Sequence, residues 1–530
     1  MKNLNLLFCI FVCVYGIILN ADSPFNRDIP TVRNFISQSY MATRPAYQRL
    51  AVFQPLWHDI IYTNCSAQKS AWQIIGMYAD SSHRQRDIYY FFPSCREELL
   101  VAGDDFLNTI HIRDVRAEWL SLPSDFKGFM TIRPQQKQAC AVVEYHKDLC
   151  DFFDIQFLKD YWISIIAPIV YMQNNMHLTQ AISHHPDRTQ DHDGPYDIRQ
   201  AFCQPSWNFA RICGTMRKTQ WAELRMRLGK AYLAHDGFEL IYFSGLSIPT
   251  SQEQQAYCMF YPVTGFNGHL GIELGFHAQL LLSRDDGLCA CSLFVGLESM
   301  FLVHHKQYRT FDLIGKPWSR YLLFNRRGGP TDQNISGVNV LTRRIRVHPY
   351  TVADFVVAWR MKTTNYEMEV GYNVWGHGNE KLEFTRKCYD ERFGCRSCCM
   401  LESCNCAPSG GCRPCRRTLC ECGESEFGIA GQGPIDPAAP VWQASSACKS
   451  TIMHQAENDP VFIAIKDSDL DLYSGAARTT IIHSLYASLG RLWDNKMAQH
   501  FVGGGVFVDI PQQNSVLAMW GVWFKGGATF

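Results

Sequence analysis

The sequence has no excess of charge of either sign, because 50 lysines and arginines are balanced by 50 aspartates and glutamates. A net charge of zero gives no reason to expect a nucleic acid or a polybasic membrane partner. Beyond the N-terminal segment no run of about 18 apolar residues occurs, so no membrane-spanning helix is predicted. No nucleophile elbow, phosphate-binding loop or HExxH motif is visible, and the sequence therefore does not predict an enzyme or a cofactor.

The N-terminal segment is the one long apolar stretch that is present. Lys2 precedes the apolar residues 6–19, and the small residue Ala21 stands before polar Asp22. This pattern predicts a secretory signal peptide over residues 1–21, with an uncleaved N-terminal anchor as the alternative. Export would place the chain in an oxidising space, and removing Cys9 and Cys13 with the signal leaves an even number of cysteines, which favours disulfides.

The C-terminal stretch alternates as a half-buried strand does. Apolar or small residues recur at every second position, and the last of them is Phe530. Such a strand suits the wall of a membrane β-barrel, and the alternative is a buried strand of a soluble sandwich. The alternating face comprises Val516, Ala518, Trp520, Val522, Phe524, Gly526, Ala528 and Phe530.

Similar alternation recurs along the chain over lengths that exceed ordinary soluble strands. We predict fourteen strands with apolar side chains facing outward and polar ones inward. Residues 22–120 are weakly patterned and could contain the first strands, whereas 121–530 would form the barrel. The predicted strands are Phe126–Ile132, Ala139–His146, Tyr161–Met172, Trp221–Leu233, Phe238–Ile248, Phe266–Leu282, Leu288–Val303, Trp318–Asn325, Val338–His348, Phe355–Met361, Tyr366–Val374, Ile481–Trp493, Phe501–Ile510 and Val516–Phe530.

The predicted connections between strands differ in length on the two sides of the barrel. Counting back from the C-terminus, the short turns 494–500, 363–364, 283–287 and 234–237 fall on one side, and the long connections 173–220, 249–265, 304–317 and 378–480 fall on the other. Membrane barrels have short periplasmic turns and long external loops. Residues 326–337 are a longish exception on the periplasmic side, and 349–353 and 511–514 are short external ones.

The phrases GYNVWGHGNEKLEF and MWGVWFKGGATF, with the alternation and the terminal Phe530, carry a resemblance. The chain resembles porin-like bacterial outer-membrane β-barrel proteins and is similar to uncharacterised barrels of intracellular bacteria. The resemblance implies an all-β, up-and-down antiparallel barrel of about 14 strands (12–18) in the outer-membrane lipid bilayer. It also implies that the barrel-assembly machinery recognises the C-terminal strand through Trp520, Phe524 and Phe530.

A cysteine-rich module at 388–422 lies in the predicted external loop 378–480. CRSCCMLESCNC and CRPCRRTLCEC read as a tandem duplication with paired Cys-x-x-Cys motifs. A disulfide-stapled loop, a metal cluster and a catalytic redox site are the alternatives, and the exported setting favours disulfides. The disulfide candidates are Cys388, Cys395, Cys398, Cys399, Cys404, Cys406, Cys412, Cys415, Cys420, Cys422 and Cys448.

The stretch SHHPDRTQDHDGPYD holds His184, His185 and His192 among aspartates. Histidine and carboxylate side chains can bind a divalent metal. A solvated polar loop is the other interpretation and the one that we favour.

Charged residues recur on the predicted inward faces. Opposed charge rows could filter small polar solutes in a conducting pore, or could fill the lumen by pairing with one another. The predicted function is a porin-like passive channel. The alternatives are a surface-exposed binding or adhesion protein anchored by the barrel, and a secreted soluble β protein. The candidate pore-lining residues are Arg225, Arg227, Glu273, Arg344, Arg346, Arg360, Lys362, Glu367 and Glu369.

Overall fold

The computed structural model describes most of the chain from Ser37 onward. The predicted signal peptide, the cysteine-rich module and Cys448 lie outside the described residues. The described ranges are 37–62, 70–82, 87–93, 96–106, 113–153, 158, 160–187, 193–234, 237–285, 289–326, 334–384, 427–431, 461–495 and 498–530.

Twelve antiparallel strands close into a ring, which confirms the predicted barrel at the lower end of its expected strand number. Each strand pairs with the next one along the chain, and the first pairs with the last to close the sheet. The strands are β1 (Ser70–Ser81), β2 (Gln135–Asp148), β3 (Tyr161–Asn175), β4 (Glu223–Ala234), β5 (Phe238–Pro249), β6 (Gly271–Asp285), β7 (Cys289–Leu302), β8 (Thr351–Thr363), β9 (Tyr366–His377), β10 (Thr480–Asn495), β11 (Ala498–Pro511) and β12 (Met519–Thr529).

The sequence alternation sets which side chains point out of the ring. On β12, Trp520, Val522 and Phe524 are exposed, whereas Trp523 and Lys525 between them are buried. Successive side chains of a strand point to opposite faces, so one strand supplies both an apolar outer surface and part of the interior. The outer wall is therefore apolar and the inner wall mixed.

Connection length separates the two ends of the ring. Short connections follow β2, β4, β6, β8 and β10, and the paired residues Ser70 and Phe530 lie at the same end, which we call the turn end. Long connections leave the opposite end, which we call the loop end. The predicted sorting is observed, except that residues 326–337 belong to a loop-end connection and not to a periplasmic turn.

Three of the fourteen predicted strands are wrong as ring strands, and one ring strand was not predicted. Phe126–Ile132, Trp318–Asn325 and Val338–His348 contribute strands to small sheets outside the ring. These segments do alternate between apolar and polar residues. Alternation shows only that one face of a strand is buried, and here a neighbouring loop buries it. Strand β1 lies in the weakly patterned region 22–120.

The remaining strands and helices lie mostly in the connections. Strand Thr215–Trp221 pairs with the loop-end half of β3 and precedes β4 by one residue. No helix among the described residues is long and apolar enough to cross a membrane. The other strands are Leu99–Ala102, Val115–Arg116, Lys127–Thr131, Thr179–His184, His305–Thr310, Asp312–Leu313, Leu323–Arg326, Ile335–Ser336, Thr342–His348, Lys381–Glu383, Phe427–Gly431, Val461–Ala464 and Leu470–Asp471. The helices are Leu50–Phe53, Trp57–Tyr62, Ile88–Phe91, Leu149–Phe153, Ile198–Phe202 and Gly337–Val340, with 3-10 turns at Ala117–Leu120, Ser319–Tyr321, Asp467–Asp469 and Leu472–Gly475.

The described parts of the long connections pack together over the loop end, and we call them the cap (residues 82–134, 176–222, 250–270, 303–350 and 378–479). Its core is aromatic: Trp318 lies 5.3 Å from Phe92, and Trp207 stacks on Tyr321 at 5.2 Å between ring centroids. Large buried aromatic side chains contribute strongly to core packing. The loop end is therefore covered by an ordered structure.

Candidate functional site

The candidate functional site is the interior of the barrel, through which residues Ser37–Tyr62 run. We call this segment the plug. At the loop end, Gln38 N donates to Tyr90 O of the cap at 3.0 Å. At the turn end, the Trp57 ring packs against Phe501 and His146 of the wall. The plug therefore runs the length of the lumen, and almost all of its described side chains are buried.

Two arginines fix the loop-end half of the plug to the wall. Arg44 forms an ion pair with Asp354 at 3.0 Å and donates to Asn373 Oδ1 at 2.9 Å. Arg49 pairs with Asp509 at 2.7 Å. The carboxylate of Asp354 also accepts from Leu50 N at 3.0 Å, at the start of the short helix Leu50–Phe53. Buried charges are tolerated only when they are paired and hydrogen-bonded, as these are.

The turn-end half of the plug is held through hydrogen bonds between its backbone and side chains of the wall. Lys525 Nζ donates to Val52 O at 3.0 Å and to Phe53 O at 2.8 Å. Leu56 N donates to Glu367 Oε1 at 2.6 Å. Wall side chains thus satisfy polar backbone groups that would otherwise lack partners in the short, irregular plug.

Leu56 fits a depression in the wall that two paired glycines create. A Cβ atom added to Gly490 or Gly503 would lie 2.2 or 2.3 Å from Leu56 Cδ1. Leu56 itself adopts a φ of 64°, which is rare for a residue with a branched side chain. The missing side chains at Gly490 and Gly503 therefore make room for this part of the plug.

A second cluster joins charges of the wall to one another. Arg227 lies 2.7 Å from Glu273 and 2.9 Å from Glu298, and Arg225 lies 3.1 Å from Glu273 and 2.7 Å from Glu223. The guanidinium groups present several donors in a fixed plane, so each can bridge carboxylates on neighbouring strands. These predicted inward residues are buried and paired.

A third cluster lies between β8 and β9. Arg360 pairs with Glu369 at 2.6 Å and reaches Glu367 at 3.6 Å, as the cross-strand register predicts. Lys362 lies on the same face, two residues nearer the turn end, and is half-buried. Opposed charges of two neighbouring strands thus meet on the inner face here, and the register places Lys362 opposite Glu367.

Arg344 and Arg346 do not line the lumen. Their strand, Thr342–His348, pairs with His305–Thr310 and Lys381–Glu383 in a three-stranded sheet of the cap. Arg344 faces Glu253 of another cap segment at 3.7 Å. The prediction for these two arginines is wrong because their strand never enters the ring.

The described interior leaves little free volume where the plug meets the cap. A cavity of about 20 Å³ is bordered by Tyr40, Phe266 and Trp375. This is about the space that one water molecule occupies. In the described conformation the plug and the paired wall charges fill this part of the lumen.

The other predicted sites receive no structural support. His184 and His185 lie on or beside strand Thr179–His184 and are exposed, while His192 lies outside the described residues. No group of three metal-ligating side chains suited to an ion occurs in the described part of the chain. All eleven predicted disulfide cysteines lie outside it too.

The plug was not predicted, and its sequence carries a weak signal for it. Residues 37–62 show neither a helical nor a strand period, and the two helices within them have only four and six residues. The arginines at 44 and 49 stand among apolar residues that are themselves buried. A segment that combines charged and apolar residues without a regular period makes its contacts only inside the completed ring.

The similarity of this chain to known proteins is weak. No protein-family model and no curated protein matches the sequence. Among solved structures, an outer-membrane channel from Pseudomonas putida F1 matches 88% of this chain and 96% of its own, with 6% identity and a TM-score of 0.37. A FadL homologue of Pseudomonas aeruginosa covers 94% and 99%, with 7% identity and a TM-score of 0.27. The TodX monoaromatic hydrocarbon channel, as a deletion mutant, covers 89% and 92%, with 7% identity and a TM-score of 0.28.

Proposed function

We propose that the protein is a gated outer-membrane channel for small polar solutes, closed in this conformation by the plug. One observation carries the proposal: the plug occupies a charged lumen and is tied to the wall by ion pairs and hydrogen bonds. The proposal modifies the predicted passive porin, because solutes could pass only after the plug moves.

Membrane insertion is supported by the outer surface of the ring. Leu485, Leu489, Val502 and Val506 are each more than half exposed on two neighbouring strands. An apolar surface that encircles a water-soluble protein would promote aggregation. Strands of 11 to 16 residues meet or exceed the roughly 9–11 needed to cross a bilayer. These features argue against the secreted soluble alternative.

Aromatic side chains surround the turn end, as they do at the water interfaces of membrane barrels. Each of them is more than a third exposed and lies near the turn-end terminus of its strand. They are Trp72, Tyr145, Tyr232, Tyr366, Trp493 and Phe530. Heat-modifiable gel migration of protein from the outer-membrane fraction would test this location, and recovery in the soluble fraction would contradict it.

The polar contacts of the plug are of a kind that water can replace. An ion pair such as Arg49 with Asp509 loses little when both groups become hydrated, since burying the two charges was costly in the first place. Movement of the plug would expose opposed carboxylate and guanidinium groups on the wall. Such a lining favours small polar solutes over apolar ones.

A glycine substitution tests the gate without removing any charge. In Gly503→Leu, the new side chain occupies the space of Leu56, and we expect the plug to be displaced. Losing about 1.4 kcal/mol of plug binding raises the open-to-closed ratio tenfold, so conductance in planar bilayers should rise by about that factor or more. The wild-type protein should conduct weakly.

Gly526→Leu is the matched control. Gly526 lies on the outward-facing register of β12, and a Cβ there meets only Phe501 O at 3.3 Å. This variant should conduct as weakly as the wild type. If folded wild-type and Gly503→Leu proteins both fail to conduct, the channel proposal is wrong.

A surface-binding role is the second candidate, favoured by the cap. Its aromatic core makes the cap far more ordered than loops that only connect strands. In that case a deletion of residues 388–422 should abolish adhesion of cells that display the protein, while the barrel stays folded. Adhesion that survives the deletion would contradict the role proposed for that module.

A further inference from the structure

Two cysteines of the cap lie side by side at the two ends of a short loop. Ile212 N donates to Phe202 O at 3.1 Å, which brings the chain before Cys213 against the chain before Cys203. Cys203 Sγ reaches Ile212 O at 3.4 Å, and Cys213 Sγ reaches Phe202 O at 3.5 Å. Each thiol thus points at the carbonyl that precedes the other cysteine, so both thiols share one narrow gap.

The surrounding packing fixes this gap from both sides. The helix Ile198–Phe202 is capped by the Asp197 side chain, which accepts from Gln200 N at 2.8 Å. Phe202 packs on Trp207 of the loop at 5.5 Å between ring centroids. The loop backbone is also clamped, because Asn339 donates to Ser206 O at 2.7 Å. The packing therefore holds the two segments that carry Cys203 and Cys213 against each other.

We propose that Cys203 and Cys213 form a disulfide bond when the protein is in an oxidising compartment. The inference rests on the proposed outer-membrane location only for where oxidation takes place. The geometry of the two thiols does not depend on it. None of the cysteines singled out in the sequence is involved.

The reaction is a thiol–disulfide exchange with an oxidised dithiol protein or a small-molecule disulfide as the electron acceptor. The Cys203 thiolate attacks one sulfur of the acceptor, and its other sulfur leaves as a thiolate. Cys213 then loses its proton and attacks Cys203 Sγ, which releases the second acceptor thiolate. Two protons and two electrons leave the protein, and the acceptor is reduced to two thiols.

The order of the two steps follows from access. Cys203 is exposed and Cys213 is half-buried, so Cys203 meets the acceptor first. Burial, followed by the hydrogen bond and charge of Cys203, raises the pKa of Cys213 to about 12. Once Cys203 is held in the mixed disulfide it carries no thiolate charge, and Cys213 becomes easier to deprotonate.

Cys258 lies near the pair but is a poor competitor. It lies on a segment whose backbone pairs with Arg211, and it is buried. Burial raises its pKa to about 11. Because Cys258 is buried, an acceptor cannot reach its sulfur, and we expect it to remain a thiol.

The bond would fasten the cap to the barrel wall. Cys213 lies two residues before strand Thr215–Trp221, which pairs with β3 of the ring. Cys203 ends a helix whose side chains enter the aromatic core of the cap. Closing the loop between them restricts the unfolded cap more than the folded one, and so favours the packed state.

The experiment is peptide mapping of the full-length protein. Trypsin cleaves after Arg199, Arg211 and Arg217, which places the two cysteines in the separate peptides 200–211 and 212–217. Protein from the membrane fraction is denatured with maleimide to block free thiols, digested without reduction and analysed by mass spectrometry. We expect the two peptides to be linked, two hydrogens lighter than their sum, and to separate on reduction.

Two variants serve as controls. Cys258→Ser should retain the linked peptides, whereas Cys203→Ser should lose them and give a maleimide-labelled Cys213. Recovery of both wild-type peptides as maleimide adducts from membrane-inserted protein overturns the proposal. Linkage of Cys213 to Cys258 or to any other cysteine in the wild type overturns it as well.

A second arm separates this inference from the proposed function. Folded full-length protein is equilibrated in an oxidising glutathione buffer and mapped in the same way. Linked peptides in this arm support the thiol geometry even if fractionation contradicts the membrane location. Free thiols here refute the disulfide even if the barrel proves to be a conducting channel.

Discussion

The lumen and the cap are both filled, but ion pairs tie the plug to the wall across the lumen, whereas the core of the cap is mainly aromatic. In the lumen, Arg44 and Arg49 of the plug meet Asp354 and Asp509 of the wall. In the cap, aromatic rings such as Trp318 pack against one another and are almost fully buried. Both regions also contain contacts of the other kind, since Leu50 and Phe53 of the plug are buried among apolar groups and Arg320 pairs with Asp312 in the cap, but the ion pairs are what join the plug to the wall.

The difference shows which region can move. Buried ion pairs are often no more stabilising than apolar packing, because desolvation offsets much of their attraction. A plug held by such pairs can exchange them for water at small net cost. Aromatic packing has no comparable replacement in water, so the cap resists opening. We therefore infer that the plug moves and that the cap, at the loop end, stays fixed.

The largest effect is expected in the cap, from Trp318→Ala. The Trp318 ring packs on Phe92, and its Nε1 donates to Phe91 O at 2.9 Å. Truncating a buried tryptophan costs about 3–5 kcal/mol. Amide hydrogen exchange should accelerate throughout the cap while the ring strands keep their protection.

Tyr257→Ala is the matched control, because Tyr257 is an aromatic residue of the cap that is 44% exposed. Surface substitutions usually change stability by no more than about 0.5 kcal/mol. If both variants loosen the cap equally, its core does not depend on Trp318 and the comparison between the two regions fails.

The next effect is expected in the lumen, from Asp354→Ala. This change removes the closer of the two ion-pair partners of Arg44, the other being Asp509 at 3.9 Å, and leaves Leu50 N without its acceptor. Breaking a buried pair by removing one partner costs about 3–5 kcal/mol when the charge must stay buried. Here the plug can leave the wall, so part of the cost should appear as increased conductance with little change in ring stability.

A double variant sharpens this prediction. Arg44→Met with Asp354→Leu replaces the pair by apolar side chains of similar size, which is often neutral or stabilising. Conductance should return to the wild-type level or below. A double variant that conducts as strongly as Asp354→Ala would show that the ion pair is not what closes the lumen.

Much of the ring could be predicted from sequence, because each strand needs one apolar and one polar face. Strand β1 is the exception, and its register explains why. Its inward side chains include Ile75 and Met77, which are buried against other apolar groups. With apolar residues on both faces, the alternation that identifies the other strands disappears.

The candidate site could be predicted only in part. Pairs such as Arg360 with Glu369 follow from the register of one hairpin, and the sequence contains that information locally. The contacts of the plug join residues that are far apart in the chain, and Arg44 and Asp354 are 310 positions apart. No local pattern encodes such a contact, because it exists only once the ring has closed.

The smallest effect is expected from pH, at one buried carboxyl group of the cap. Burial, and secondarily the nearby charge of Asp312, raises the pKa of Asp471 from 3.8 to about 6. The group is thus protonated in the folded cap at pH values where the unfolded chain has already released the proton. Its contribution to stability is greatest near pH 4, and falls as the pH rises towards 6 and beyond.

Asp471→Asn tests this dependence while keeping an acceptor for Tyr473 N, to which Asp471 Oδ1 now bonds at 3.0 Å. A shift of about two pKa units corresponds to at most about 3 kcal/mol, and relaxation of the site should reduce it to about 1–2 kcal/mol. Hydrogen exchange of the wild-type cap should therefore be slower at pH 4.5 than at pH 7.5, after correction for intrinsic rates. The variant should lose this difference through added protection at pH 7.5. Equal pH dependence in both proteins would mean that Asp471 is not the responsible group. The lumen and the cap would then differ less than the structure indicates.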